Sequence, residues 1–298
     1  MDIQIRDLAL QYQGGKLALQ GVSLDIGRGM FGLLGPNGAG KTSLIRILAT
    51  LLKPTEGSVR VDGLDLAAHR RQIRRRIGYL PQEFTRFPKL SAREFLDYVA
   101  RLKRIKPRRK RAAEVDAVLE SVGLSEARDR RADKLSGGMK RRLGIAQSLI
   151  GGPQLLIIDE PTVGLDPEER VRFRNLLSDL SREEKIILLS THIVGDISST
   201  CSRIALLDEG RIVFSGPPGD LIERTRGKVW KINALPEEMD ALKLRYPVVS
   251  SVPSVEGYEL RLVADSVEGR PAEAVDPNLE DAYVYFMEKA DGKPGEAG

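Results

Sequence analysis

The sequence predicts an α/β fold with a parallel-sheet core, and three features of its 298 residues carry that prediction. An apolar run, Met30-Phe31-Gly32-Leu33-Leu34, leads into the glycine-rich Gly35-Pro36-Asn37-Gly38-Ala39-Gly40-Lys41-Thr42, and Ser43-Leu44-Ile45-Arg46-Ile47-Leu48 follows at helical spacing. A second apolar run, Leu155-Leu156-Ile157-Ile158, ends in Asp159-Glu160. That is the pattern of a strand buried on both faces that delivers acid groups to its carboxyl edge, where parallel sheets bind ligands. Beyond Gly216-Pro217-Pro218-Gly219 the pattern changes to alternating strands and short helices, predicting a separate small α+β unit.

The first feature is a strand, a glycine-rich turn and a helix start, the arrangement of a phosphate-binding loop. Glycine permits positive φ and close backbone approach, so the loop amides can converge on phosphate oxygens. The helix N-terminus adds partial positive charge, Lys41 can reach β- and γ-phosphates, and the Thr42 hydroxyl can ligate magnesium. The loop pattern alone arises by chance in roughly one chain in a hundred of this length, before any strand or helix context is required. Given this loop, Asp159 is expected to hold the magnesium ion, directly or through water, and Glu160 to orient and polarise a water attacking the γ-phosphate.

Between these segments lies Leu135-Ser136-Gly137-Gly138-Met139-Lys140-Arg141-Arg142, followed by apolar residues at helical spacing, Leu143, Ala146, Leu149 and Ile150. Serine and two glycines at a helix start make a second candidate anion site; in isolation they are an ordinary cap.

At 41% hydrophobic residues the chain can bury a large core with room for a second, smaller one. Its longest apolar runs fall far short of the ~18 to 20 residues needed to cross a bilayer. The opening Met1-Asp2-Ile3-Gln4-Ile5-Arg6 lacks a basic segment before an apolar core, so no secretory signal and a cytoplasmic location are expected. The single cysteine, Cys201, excludes an intrachain disulfide and reads as a small buried residue. The net charge of +5 is modest, but Arg70, Arg71, Arg74, Arg75 and Arg76 cluster, as do the basic residues of 103–111. Each cluster suits a solvated helix face, anionic lipid or nucleic acid; without interleaved aromatics, nucleic acid is the least expected.

Taken in order, these motifs resemble the ATP-binding subunit of an ATP-binding cassette (ABC) transporter over residues 1–225. Residues 35–42 match the Walker A loop, Gln82 in Tyr79-Leu80-Pro81-Gln82 the Q-loop, and residues 135–139 the family signature. Residues 155–160 resemble Walker B, Gly164-Leu165-Asp166-Pro167 the D-loop, and His192 after Leu188-Leu189-Ser190-Thr191 the switch histidine. Tyr12 resembles the aromatic that stacks on adenine; edge packing is the other reading of that residue. The signature has Met139 where glutamine is usual, a change expected to leave hydrolysis intact because serine and glycine groups make the phosphate contacts in the family. The D-loop begins Val163-Gly164, which retains Asp166.

The resemblance implies a P-loop NTPase of ABC type: a parallel-sheet core, an amino-terminal antiparallel β subdomain and a helical subdomain at about residues 83–138. It implies an ATPase working as a head-to-tail dimer, two copies of this chain in preference to a mixed pair. Each ATP then lies between residues 35–43 of one subunit, Asn37, Gly38, Ala39, Gly40, Lys41, Thr42 and Ser43 among them, and Ser136, Gly137 and Gly138 of the other, with Asp166 as a further nucleotide-binding residue. Thr42, Gln82 and Asp159 surround Mg2+, Glu160 serves as base, and His192 contacts the γ-phosphate. The partner implied is a separate transmembrane permease, so membrane contact is expected through the permease, at the inner face of the cell membrane. No nucleic acid is expected.

Apolar spacing at Phe95, Leu96, Val99 and Leu102, and at Val115, Val118, Leu119 and Val122, predicts helices in the helical subdomain. Phe84, Phe87 and Leu90, beside Gln82, are candidates for the permease contact. In the accessory unit, 226–290, strands are predicted at residues 229–232 and 258–263 and helices at 236–244 and 279–289, after a terminal helix of the ATPase part at 220–226. The segment Pro277-Asn278-Leu279-Glu280-Asp281-Ala282 resembles the closing helix of drug and antibiotic exporter ATPases. Residues 291–298 read as a mobile tail. The competing function is a soluble ABC-type ATPase remodelling ribosomes or nucleic acid; it is disfavoured by the lack of a second cassette or a long coiled coil.

Overall fold

The computed structural model describes residues 1–83, 89–181, 184–198, 200–255 and 257–290. Phe84, Phe87 and the tail 291–298 lie outside these residues. The chain forms two compact units, Met1–Ile212 and Val213–Gly298.

The first unit opens with β1 (Ile3–Gln11) and β2 (Leu17–Ile26), continues with β3 (Gly29–Leu34), α1 (Lys41–Leu48), β4 (Glu56–Val61) and β5 (Leu64–Asp65), then α2 (Arg70–Arg74) and β6 (Ile77–Leu80). It goes on through α3 (Ala92–Leu102), α4 (Arg108–Ser121), α5 (Gly137–Leu149), β7 (Leu155–Asp159), α6 (Pro167–Ser181), β8 (Ile186–Thr191) and β9 (Arg203–Asp208). Two sheets result. β2-β1-β4-β5 is antiparallel, and its long strands alternate buried and exposed residues, as a sheet with one wet face must. The other runs β9-β3-β8-β7-β6, all parallel, and every residue of β7 and β8 is buried. One apolar core joins the two sheets, with Ile5, Leu19, Leu33, Ile45, Ile157 and Leu188 among its members.

Register decides what meets at the carboxyl edge. Asp159 pairs with Ser190 and Leu34 with Thr191, so the ends of β3, β7 and β8 stand level. β8 lies between the other two. Leu80 at the end of β6 pairs with Ile158, which brings the Gln82 segment to the same edge.

In the helical part, α3 begins with a capping box in which the Ser91 hydroxyl accepts from the Glu94 amide and the Glu94 carboxylate accepts from the Ser91 amide. Phe95, Leu96, Val115, Leu119 and Val122 are buried, as their spacing predicts. Leu102 is an exception and is exposed, because the helix ends there and the chain turns away. Several clustered cations are structural: Arg70 and Arg74 both bond Thr50, whose φ is positive, Arg76 pairs with Asp62, and Arg111 with Asp97.

The strand β10 (Arg211–Gly216) spans the point where the units divide. The second unit continues with α7 (Pro218–Glu223), β11 (Val229–Ala234), α8 (Met239–Arg245), β12 (Val248–Ser254), β13 (Gly257–Val263), β14 (Glu273–Ala274) and α9 (Leu279–Ala290). Its sheet, β12-β13-β11-β14, is antiparallel. Alternation sends Ile232, Leu260 and Leu262 to one face with Met239 and Leu242 of α8, and Val229 and Val263 to the other with Tyr285 of α9. The sequence pattern sets the domain boundary at residue 225, whereas the contacts set it at Ile212/Val213. The reason is local: α7 packs on α9, and Phe214 meets Phe286 edge to face at 6.1 Å. The helix predicted over residues 236–244 begins instead as a 3₁₀ turn, Pro236–Glu238, before α8.

Candidate nucleotide-binding site

The loop between β3 and α1 is shaped by close approach. A Cβ on Gly35 would lie 2.1 Å from the Leu207 carbonyl oxygen, and one on Gly40 2.4 Å from that of Ala18. Gly40 also has φ 107°, a conformation L-residues rarely adopt, and it caps α1. Asn37 and Gly38 stand exposed at the tip, while Ala39 is buried and anchored by the Gly210 amide. Thr42 and Ser43 open the helix, and the Tyr12 hydroxyl lies 3.1 Å from the Ser43 hydroxyl, which sets the half-exposed tyrosine ring beside the loop.

Lys41 is 5% exposed and donates to the carbonyls of Gly35 (2.7 Å) and Pro36 (3.0 Å). Its ammonium also lies 3.2 Å from Glu160 Oε1. The other carboxylate oxygen of Glu160 is 2.8 Å from His192 Nδ1. An ionised carboxylate only accepts, so Nδ1 carries the proton in this contact. Lysine, glutamate and histidine from three segments therefore meet at one point.

Glu160 is held unusually. Its φ is 47°, which costs a non-glycine residue of order 1–2 kcal/mol, and its amide donates to both the carbonyl and the hydroxyl of Ser190. Ser190 in turn donates to Asp159 Oδ1 at 2.6 Å. Burial pushes the Asp159 carboxyl above the ordinary carboxylate range, and hydrogen bonds from Ser190 and Thr42 pull the other way. A buried carboxylate joined to a threonine hydroxyl is a hard oxygen donor pair, and a divalent cation would relieve its desolvation; the residues fit Mg2+. Among the described residues no three His, Cys, Asp or Glu form a metal cage.

Gln82 is exposed at the end of β6, near this edge. Ser136, Gly137 and Asp166 belong elsewhere. Ser136 caps α5 by accepting from the Met139 amide, and it and Gly137 face solvent. Gly138 is buried because α6 packs on it: a Cβ there would meet the Glu169 carboxyl at 2.3 Å. Asp166 is exposed and caps α6 by accepting from the Glu169 amide at 2.8 Å. Gly164 has φ 77°, which the sequence supplies with glycine.

Sequence reading passed over Arg141. Its guanidinium donates to the carbonyls of Pro161 (2.7 Å), Pro81 (3.3 Å), Gln82 (2.8 Å), Asp159 (3.2 Å) and Glu160 (2.6 Å). Burial lowers its pKa to about 10, with Asp159 and Glu160 opposing the shift. A signal was present: Arg141 falls three residues after Gly138 and four before Ile145, on the buried stripe of α5. Asp196 was also missed; it is buried and accepts from Thr162 and Thr191, joining the segment after Glu160 to the segment after β8.

A family profile described as "ABC transporter" matches residues 19–163. Daunorubicin resistance ATP-binding protein DrrA3 of Streptomyces coeruleorubidus is 32% identical, covering 94% of this chain and 94% of its own. Phosphonates import ATP-binding protein PhnC of Wolinella succinogenes is 38% identical over 76% of this chain and 88% of its own. Among solved structures, the dimeric post-hydrolysis state of the ATP-binding cassette MJ0796 bound to ADP and Pi superposes with a TM-score of 0.66. It is 26% identical and covers 72% of this chain and 98% of its own.

Proposed function

The chain belongs to the ABC transporter family as an ATP-binding, ATP-hydrolysing subunit, and from that premise we propose how its residues do the work. Two copies pair head to tail, and each ATP lies between residues 37–43 of one copy and Ser136, Gly137 and Gly138 of the other, with Asp166 beside it. Tyr12 stacks on the base. The pair docks under a transmembrane permease at the inner face of the membrane and drives export. The full-length similarity to a protein named for drug resistance supports that direction.

The observation that carries this reading is the contact chain Lys41–Glu160–His192, at 3.2 and 2.8 Å. Lys41 and His192 are both groups that a γ-phosphate attracts, and both hold Glu160. As they turn to phosphate, Glu160 loses two partners and its carboxylate becomes free to accept a proton from water. The loop amides and Lys41 stabilise the charge that spreads over the phosphoryl oxygens. Thr42, Asp159 and Gln82 would hold Mg2+, which supplies charge neutralisation at the phosphates. Serine 190 keeps Asp159 oriented by its 2.6 Å hydrogen bond.

The test is Glu160→Gln. The variant should bind ATP, lose at least about 100-fold in kcat, and elute as an ATP-dependent dimer. Hydrolysis at the wild-type rate would remove Glu160 from the mechanism.

A further inference from the structure

We propose that Arg141 is a positioning residue for hydrolysis: one guanidinium clasps the ends of β6 and β7 to α5 and so fixes Gln82 and Glu160 relative to each other. The inference rests on the ATPase reading above.

All three guanidinium nitrogens are engaged, and every acceptor is a backbone carbonyl. A charged fork bound only to main-chain oxygens fixes where the chain runs. Two of those oxygens belong to Asp159 and Glu160, so the clasp grips the backbone at the point where Glu160 takes its left-handed φ of 47°. Pro161 extends the grip past Glu160, and Pro81 and Gln82 lie on the neighbouring strand end. The same side chain rises from α5, whose N-cap Ser136 and first residue Gly137 are exposed. A lysine ammonium has no planar fork and cannot span the two strand ends.

Arg141→Gln and Arg141→Lys, made in the full chain, test this. Neither alters Lys41 or the loop of residues 35–42, so the Kd for ATP without magnesium, read with a fluorescent ATP analogue, should stay within about twofold. The kcat should fall about 10- to 100-fold in both, since small misplacement of reacting groups is costly. Melting curves establish that each variant is folded; should the glutamine variant not fold, the lysine variant carries the test. Wild-type kcat in either folded variant overturns the proposal, as does a loss of ATP affinity that accounts for the whole loss of rate. The two readings separate cleanly. A wild-type protein without ATP hydrolysis sinks the ATPase reading itself; a normal Arg141→Gln beside an inactive Glu160→Gln sinks only the clasp.

Discussion

Glu160 sits 4% exposed between a lysine and a histidine, on a backbone that is strained for any residue but glycine. Burial makes each of its partners count, because charges out of water attract strongly and tolerate no orphan. The same desolvation silences Cys201. Burial raises its thiol to about 12, so at pH 8 the thiolate that reacts is scarce in the folded protein. We expect a disulfide reagent to label Cys201 at pH 8 only on addition of denaturant, at a rate that tracks unfolding. Rapid labelling of the native protein would contradict its placement against Ile197 and Gly32. In the sequence, Lys41, Asp159, Glu160 and His192 were legible because each belongs to a motif of fixed spacing. Arg141 was not, since its partners are carbonyls, which every residue carries.

At the scale of elements, caps explain motifs that sequence resemblance only labels. The Asn278-Leu279-Glu280-Asp281 stretch is a helix start: Asn278 Oδ1 accepts from the amides of Glu280 and Asp281, and Asp281 Oδ2 accepts from the Asn278 amide. Asp281 is fully buried and also takes two hydrogen bonds from Arg261 of β13, at 2.7 and 2.6 Å. One carboxylate thus caps α9 and fastens it to the sheet. Removing it leaves the part-buried Arg261 guanidinium without its buried carboxylate, with only the Asp276 carbonyl among the described residues still accepting from it, and takes the acceptor from the Asn278 amide, so Asp281→Ala should destabilise the second unit by about 3 kcal/mol. Denaturant unfolding followed at Trp230, which lies in that unit, is the measurement; an unchanged midpoint would refute the role. The strands β12 and β14 were missed in the sequence. β12 reads Val248-Val249-Ser250-Ser251-Val252-Pro253-Ser254, whose exposed edge residues lack a clean alternation.

For the molecule as a whole, the question is which surfaces complete each other. Lys41 is buried in the loop site, whereas Ser136 and Gly137 are exposed on a different helix start. If each ATP site is shared between two copies, inactive Lys41→Ala and inactive Ser136→Arg should rescue one another. In an equal mixture half the dimers are mixed, and each mixed dimer holds one complete and one doubly broken site. Hydrolysis should return to roughly a quarter of the wild-type rate. No recovery on mixing would mean that the two half-sites do not meet in trans. No helix among the described residues is long and apolar enough to cross a membrane.

The sequence by itself determined the loop at residues 35–42, the acid pair ending β7 and the α/β class, because these depend on local steric need and on the period of apolar residues. It also carried the family, since the motif order is a property of the chain. Only the tertiary structure decided that Lys41, Glu160 and His192 touch, that Ser190 orients Asp159, and that Arg141 binds two strand ends at once. Those facts depend on strand order and register: β8 inserts between β3 and β7, and residues far apart in sequence become level at one edge. A local pattern fixes what an element is, and long-range pairing fixes which elements share an end.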